Sequence, residues 1–273
     1  MSVVELARPV EKPRATPKGP RRRVTAWHRW LSPLALLAIW QIASASGLLP
    51  ERLLAAPATI AATAVDLTQA GTLHTAIGVS LQRVLIGFAI GGLAGILLAT
   101  VAGLSRAGEN AVDPIMQMLR ALPFFGLIPL FILWFGIGEE PKILLVALAV
   151  SFPLYLNTFS GIRGVDGKLA EVAKTLRLSR GQLIRHIVLP GALPQTLVGL
   201  RQALGVAWLA LIVAEQVNAT TGLGYMINDA REFLRTDVIV VGLLVYSALG
   251  LLTDSLVRLL ERRALAWRRG FLA

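Results

Sequence analysis

Long, uninterrupted apolar runs are the feature of this sequence that most limits its possible folds. Six of them, made mostly of Leu, Ala, Ile, Val and Gly, approach the roughly 20 residues that a helix needs to cross a bilayer. They cover residues 31–48, 79–103, 111–136, 142–160, 197–217 and 237–258. The strands of a membrane barrel would instead alternate apolar and polar residues. The sequence therefore predicts an all-α, polytopic membrane protein with about six transmembrane helices, in agreement with its mean hydropathy of +0.66.

Lys and Arg residues are distributed unevenly between the segments that join these runs. Eight lie before the first run and six lie between Arg163 and Arg185. The alternate connections carry only Arg52, Lys142, Arg231 and Arg235. Because Lys and Arg concentrate in short cytoplasmic loops, we expect both termini to be cytoplasmic. The same bias accounts for the net charge of +11, so no nucleic-acid partner is expected.

Composition also suggests where the parts of the chain begin and end. Residues 1–28 are rich in Pro, Arg and Lys, and we expect a disordered cytoplasmic tail that lies against anionic membrane lipid. Residues 29–50 are expected to form an N-terminal transmembrane helix. Their pattern is also typical of a cleaved signal peptide, although the apolar stretch continues through Leu49, which favours an uncleaved anchor. Residues 72–260 would form the core, and residues 261–273 a basic cytoplasmic tail.

The third apolar run contains Pro114, Pro123 and Pro129. Proline removes a backbone donor and clashes with the preceding turn, so the helix is expected to break near 122–126. A broken helix at membrane depth survives only where protein or a water-filled cavity surrounds it. The break therefore indicates either the wall of a pathway or a kink that serves packing.

Charged and polar residues inside the apolar runs indicate candidate pathway positions, since a charge at a helix centre costs about 2.5–3.5 kcal/mol. Arg201 lies near the cytoplasmic end of the fifth run, where its side chain can also snorkel to the interface. Glu215 lies near the outer end, where it either lines a pore mouth or marks the exit of the helix from lipid. The candidate pathway residues are Arg120, Pro123, Arg201, Trp208, Glu215 and Asn218.

Residues 163–195 form a polar, charged segment between two apolar runs. Leu169, Val172, Ala173 and Leu176 recur at helical spacing, which predicts a short amphipathic helix. A turn is expected over 178–181, followed by a second short helix over 182–188. That second helix should end before proline 190, because the residue before a proline avoids the α region. The two helices would form a compact projection that contacts a soluble partner.

This polar segment resembles the EAA loop of permease subunits in ABC importers, whose pattern is Glu-Ala-Ala, three residues, Gly, nine residues, Ile, one residue, Leu-Pro. The sequence departs from that pattern at Val172, which replaces the first Ala, and at Arg177, which replaces Gly. The resemblance implies that the loop is a coupling helix that seats in a groove of a cytoplasmic ATPase. The residues implied in this coupling loop are Glu171, Val172, Ala173, Arg177, Leu178, Gly181, Ile187, Leu189 and Pro190.

The resemblance covers residues 31–270. The stretches 127–138, 188–194 and 231–238 are similar to permeases of aliphatic sulfonate importers, with taurine, nitrate and pyrimidine-precursor permeases as relatives. It implies a type I transmembrane domain in the bacterial inner membrane, built from two copies of the chain. It further implies an ATPase dimer that binds ATP and Mg²⁺, an extracytoplasmic substrate-binding protein, and a small anionic solute. Arg120 and Arg201 are the candidate residues for attracting that anion.

No enzymatic activity, cofactor or metal site is expected in this chain itself. The nearest approach to a phosphate-binding loop, at 161–169, has five residues between its glycines and Leu169 in place of the hydroxyl residue. The three histidines, His28, His74 and His186, are scattered and belong to no metal-ligand pattern, and the chain has no cysteine. The alternative from another class is an ion-coupled secondary transporter, which would need ionisable residues at mid-bilayer.

Overall fold

A computed structural model describes residues 28–267, except for the side chains of residues 28–30, 124, 170, 174 and 218. Almost all of the predicted N-terminal tail and the last six residues of the predicted C-terminal tail therefore lie outside the described part. Within it the chain is helical and has no strand, as predicted. The α-helical segments are α1 (His28–Ala45), α2 (Pro57–Gln69), α3 (Thr72–Leu104), α4 (Arg106–Ala121), α5 (Ile128–Phe135), α6 (Glu140–Arg163), α7 (Gly167–Thr175), α8 (Arg180–Leu183), α9 (Leu189–Asn218), α10 (Leu223–Glu232) and α11 (Thr236–Ala264).

Four helices in the described range are long and apolar enough to cross a membrane. They are α3, α6, α11 and a continuous helix over 180–217 that contains α8 and most of α9. The bent pair of α4 and α5 would make a fifth span. Helix α1 is apolar but has only 18 residues, about 27 Å of helix. Every predicted run therefore coincides with a helix, and the predicted number of six requires both α1 and the bent pair.

The centre of the bundle is formed by α6, which packs along α3 on one side and along α9 on the other. The largest buried apolar cluster joins these helices and includes Val84, Val150, Leu154 and Leu211. Small residues allow the closest approach: a Cβ atom added at Gly91 of α3 would overlap the backbone of α6. The glycines of the second run thus serve packing inside the bundle.

The third run breaks where its prolines predict. Helix α4 ends at Ala121, and Leu122 has the extended dihedrals (φ −72°, ψ 137°) that a residue before proline prefers. A single 3₁₀ segment, Phe124–Leu127, leads into α5, which carries Pro129 in its first turn. The helix axes on the two sides differ by 85°. The predicted break is confirmed, and it turns the chain almost at a right angle.

The predicted end of a helix before Pro190 is wrong. Residues 184–188 form a π-helical turn, and Val188 (φ −69°, ψ −51°) and Leu189 (φ −63°, ψ −47°) both keep helical dihedrals, so α8 continues into α9. The amide of Leu189 donates to the carbonyl of Ile184, five residues earlier. A widened turn of this kind relieves the clash that a proline ring makes with the carbonyl four residues before it. The polar segment is therefore continuous with the fifth span.

Two short helices, α2 and α10, lie outside the predicted runs. Helix α2 begins with a proline in its first turn, which suits a position whose amide has no helical partner. Helix α10 is amphipathic and buries Leu223, Met226, Ile227 and Ala230. It packs against α9 and α11, and α2 also packs against α11. Their length and mixed composition hide them from a search for membrane-spanning runs.

Candidate functional site

The polar segment folds as a helical hairpin, which we define as residues 167–188 and call the 167–188 hairpin. Its first arm, α7, ends with Leu176 N–H donating to Val172 O (3.0 Å) and Leu178 N–H donating to Ala173 O (3.0 Å). Arg177 lies between these donors with φ +53°, in the left-handed region. This pattern is a Schellman motif, in which the left-handed residue is usually glycine. The position where the EAA pattern has Gly is thus a position that requires positive φ, and Arg177 adopts it.

The second arm of the hairpin begins with a capping box. Ser179 Oγ accepts from Gln182 N–H (3.3 Å), and Gln182 Oε1 accepts from Ser179 N–H (2.8 Å). These reciprocal bonds satisfy amides that the first turn of a helix leaves free. Helix α8 therefore starts at Arg180, two residues before its predicted start at 182, and the shorter turn that precedes it is fixed on both sides by hydrogen bonds.

Among its described side chains, the hairpin has one that is buried and an apolar stripe that is exposed. Ala173 is 3% exposed, whereas Leu169, Val172 and Leu176, at helical spacing on α7, are 46–65% exposed. Glu171 lies beside them and is also exposed. The other residues of the predicted loop are Leu178, Ile187 and Pro190, which are half-buried, and Gly181 and Leu189, which are exposed. An apolar stripe on a short, otherwise polar helix is typical of a protein contact.

A buried charge network joins the other ends of the helices. Arg83 of α3 is 3% exposed and donates from Nη1 to Glu215 Oε1 of α9 (2.6 Å). Its Nε and Nη2 donate to the two carboxylate oxygens of Glu139, at 2.5 and 2.7 Å. Lys142 also donates to Glu139 (3.2 Å). The bidentate hydrogen bonding by Arg83 holds the pKa of Glu139 below its usual value, with burial opposing the shift.

Glu215 has a complete set of donors. Besides Arg83 it accepts from Ser80 Oγ (2.8 Å), the amide of Gly224 (2.8 Å) and the hydroxyl of Tyr246 (3.0 Å). Its 1% exposure places it inside the bundle, so it does not line an open mouth, one of its two predicted roles. A carboxylate that would be costly when buried alone is instead fully paired. The network ties α3, α9, α10 and α11 to the start of α6.

Arg83 is absent from the sequence-based candidates, although a signal for it exists. It is the one Asp, Glu, Lys or Arg among the 33 residues of α3, which is apolar enough to span a membrane. A lone charge in so apolar a helix requires a buried partner. Its partners, Glu139 and Glu215, lie 56 and 132 positions further along the chain. The sequence pattern does not predict contacts between residues so far apart.

Arg120 and Arg201 meet in one groove between α4, α6 and α9. The groove has a volume of about 610 Å³, and its lining includes Phe152, Asn157 and Gln202. Arg201 pairs with Asp254 (3.4 Å) and Glu261 (2.7 Å) of α11. No ion pair of Arg120 is found within residues 28–267. The structure thus brings together two of the predicted pathway residues and leaves one of them uncompensated.

The remaining predicted pathway residues lie elsewhere. Pro123 is exposed at the break between α4 and α5. For Trp208 the predicted place in the pathway is wrong. Its side chain is 6% exposed, donates to Thr253 Oγ1 (3.2 Å) and packs edge-to-face on Tyr246, so it belongs to the core. Asn218 is the last residue of α9, and its side chain lies outside the described part. Within residues 28–267 no three His, Cys, Asp or Glu side chains group closely enough to hold a metal ion.

Comparisons with known proteins match nearly the whole chain. The family described as "Binding-protein-dependent transport system inner membrane component" matches residues 91–265. A protein of Bacillus subtilis (strain 168) named as an aliphatic sulfonates transport permease, SsuC, is 44% identical over 258 residues, 94% of each chain. The protein of the same name in Escherichia coli (strain K12) is 48% identical, and the match covers 89% of this chain and 92% of that protein. The taurine transport system permease TauC of the same strain is 39% identical, over 72% of this chain and 71% of its own.

Solved structures with the same fold are more distant in sequence. A chain from the crystal structure of an amino acid ABC transporter with histidines superposes with a TM-score of 0.61 at 18% identity, over 73% of this chain and 97% of that one. A chain of the MetNI methionine ABC transporter in an inward-facing conformation gives a TM-score of 0.55 at 17% identity, over 70% and 97%. At such identities the likeness establishes the fold, that of an ABC importer transmembrane domain.

Proposed function

Because this chain belongs to the family of inner membrane components of binding-protein-dependent transport systems, we propose that it forms the transmembrane pathway of a bacterial importer for aliphatic sulfonates. The observation that carries the substrate class is the near full-length match to two permeases named for aliphatic sulfonates. The taurine permease matches less of the chain and at lower identity, which makes taurine the second candidate. Nitrate or a pyrimidine precursor would use the same machinery.

The substrate is tested by competition in proteoliposomes that contain the chain with its ATPase and its binding protein. The initial rate of uptake of a labelled short alkanesulfonate is measured while unlabelled alkanesulfonates, taurine or nitrate are added. We expect alkanesulfonates to compete most strongly and taurine more weakly. Stronger competition by taurine or nitrate than by every alkanesulfonate would contradict the assignment.

The 167–188 hairpin is the proposed contact with the cytoplasmic ATPase, which supplies ATP hydrolysis. The exposed stripe of Leu169, Val172 and Leu176 offers apolar area for a groove in the partner, and Glu171 beside it offers a charge. Ala173 on the same helix is buried and is therefore not part of the offered surface. Since the second arm continues into α9, a push on the hairpin is passed directly to a spanning helix.

Reversing the charge at the hairpin tests this contact. The variant Glu171→Lys is expected to abolish ATP-dependent uptake and co-purification of the ATPase while membrane insertion remains normal. Glu232→Lys, at the end of α10, is the matched control and should leave both unchanged, because α10 and the hairpin lie beyond opposite ends of α9. Normal uptake and co-purification in the Glu171→Lys variant would refute the assignment.

Two copies of the chain would enclose the pathway. The groove that holds Arg120 and Arg201 is an open cleft in the single chain, and a second copy facing it would close it.

Asymmetry in basic residues supports an orientation with both termini in the cytoplasm and α10 outside. The chain has no native cysteine, so single cysteines are unique probes. A membrane-impermeant thiol reagent applied to intact spheroplasts should label the Glu232→Cys variant and spare the His186→Cys variant; the reverse pattern would overturn the orientation.

A further inference from the structure

The groove between α4, α6 and α9 is amphiphilic. Charged and amide side chains reach it from all three helices, while Phe152, Leu156, Val206 and Leu209 form an apolar wall. Its volume of about 610 Å³ lies within the range of small-molecule sites, roughly 300–1,000 Å³. A solute with a charged head and a hydrocarbon tail would match such a lining better than a small inorganic ion would.

A chain of amide hydrogen bonds ends in the groove at Gln202 and has a defined direction. Gln195 Nε2 donates to Asn157 Oδ1 (2.9 Å), and Asn157 Nδ2 donates to Gln202 Oε1 (2.9 Å) and to the carbonyl of Pro153 (2.8 Å). The carbonyl oxygen of Gln202 is therefore engaged, and the N–H groups on its nitrogen make no hydrogen bond to any residue in the 28–267 range. A free amide donor favours a ligand group that only accepts hydrogen bonds, such as a sulfonate oxygen.

The two arginines of the groove differ in their electrostatic surroundings. Arg201 is offset by Asp254 and Glu261, and Asp254 also pairs with Arg258. Arg120 has no carboxylate within ion-pair distance in the described range. An arginine fork binds an oxyanion through charge-assisted hydrogen bonds, and in a membrane groove these are screened less than in water. Arg120 rather than Arg201 is thus the cation available to a solute.

The geometry points to a transient sulfonate subsite in which Arg120 and the amide nitrogen of Gln202 bind the head group and the apolar wall takes the alkyl chain. This inference rests on the proposed function and deepens it. A single uncompensated cation attracts the anion without holding it too tightly to leave. None of the described residues that line the groove is an Asp or Glu, and the two carboxylates that contact its Arg201 are paired with that arginine, so the ammonium group of taurine would find no free carboxylate there. The groove therefore selects alkanesulfonates over taurine.

The selectivity is tested in the same proteoliposomes, as the ratio of ethanesulfonate uptake to taurine uptake, because a ratio is independent of how much protein is active. Arg120→Gln is expected to lower ethanesulfonate uptake about tenfold, as for the loss of a charge-assisted hydrogen bond, and Arg120→Lys should restore much of it. Gln202→Glu should shift the ratio toward taurine, because its carboxylate repels a sulfonate and accepts an ammonium. Arg231→Gln on α10 is the control and should change neither uptake nor ratio.

Two failures can be told apart. If the wild-type complex imports no alkanesulfonate, the proposed function fails and this subsite fails with it. If the wild-type complex imports ethanesulfonate while Arg120→Gln and Gln202→Glu keep both its rate and its ratio to taurine uptake, the subsite is overturned and the proposed function stands.

Discussion

Arg177 shows how one dihedral angle links a sequence pattern to a structure. The residue holds φ at +53° in the Schellman motif that ends α7, a conformation that costs a non-glycine residue about 1–2 kcal/mol. From the sequence, the missing glycine left the geometry of the turn open. The structure keeps the turn, since hydrogen bonds on both sides and the capping box of Ser179 determine it.

Substituting Arg177 by glycine is therefore expected to stabilise the turn by about 1 kcal/mol. The measurement is amide hydrogen exchange of residues 176–180 in the purified chain, which should slow several-fold. Arg177→Ala is the control, because it removes the guanidinium but keeps the Cβ atom, and it should give no such protection. Equal protection in both variants would assign the effect to the lost charge instead of to the backbone.

Arg83 carries a charge that is buried together with the carboxylate of Glu215. Arg83→Met would leave the fully buried carboxylate of Glu215 without its cation, which costs roughly 3–5 kcal/mol when one partner of a buried pair is removed. The double variant Arg83→Met with Glu215→Gln should recover much of that loss. Thermal unfolding of the chain in detergent measures both, and a double variant no more stable than the single one would show that the ion pair is not the origin of the loss.

The helices differ in how far the sequence predicts them. Continuous apolar runs locate the spanning helices, and three prolines locate the break in the third run, because both effects act over a few neighbouring residues. Helix α2 packs against α11, and helix α10 packs against α9 and α11, and a local sequence pattern does not contain these contacts. The sequence predicted that a helix ends before Pro190, and this prediction is wrong, because a widened turn removes the steric clash that proline normally makes inside a helix. Within the site, the first helix of the hairpin can be predicted from the helical spacing of its apolar residues. The partners of Arg83 and the free amide of Gln202 depend on tertiary contacts, which the sequence does not give.

Close packing of α3 on α6 gives a prediction for a whole element. A methyl group at Gly91 would meet the backbone of Ala147, so Gly91→Ala should force the helices apart and destabilise the bundle by about 1–3 kcal/mol. Gly78→Ala in the same helix is the matched control, since no atom lies within 4 Å of the added Cβ. Thermal unfolding of the two variants should differ clearly, and equal stability would contradict the packing.

For the whole molecule, the decisive feature is the continuous helix over 180–217, 38 residues or about 57 Å long. It begins in the hairpin proposed to meet the ATPase, passes the groove at Arg201 and Gln202, and reaches the buried network at Glu215. We propose that closure of the ATPase dimer pushes on the hairpins of two copies and tilts these helices, so that the cavity opens outward to receive solute from the binding protein. Hydrolysis of ATP reverses the tilt.

We propose that ATP hydrolysis by a partner drives solute through this chain. The most direct measurement is alkanesulfonate uptake by proteoliposomes that contain the chain, its ATPase and its binding protein, with and without ATP and under imposed ion gradients. We expect uptake that requires ATP and the ATPase and does not change with the gradients. Uptake that persists without ATP and the ATPase, driven by an ion gradient, would contradict it and favour a secondary transporter.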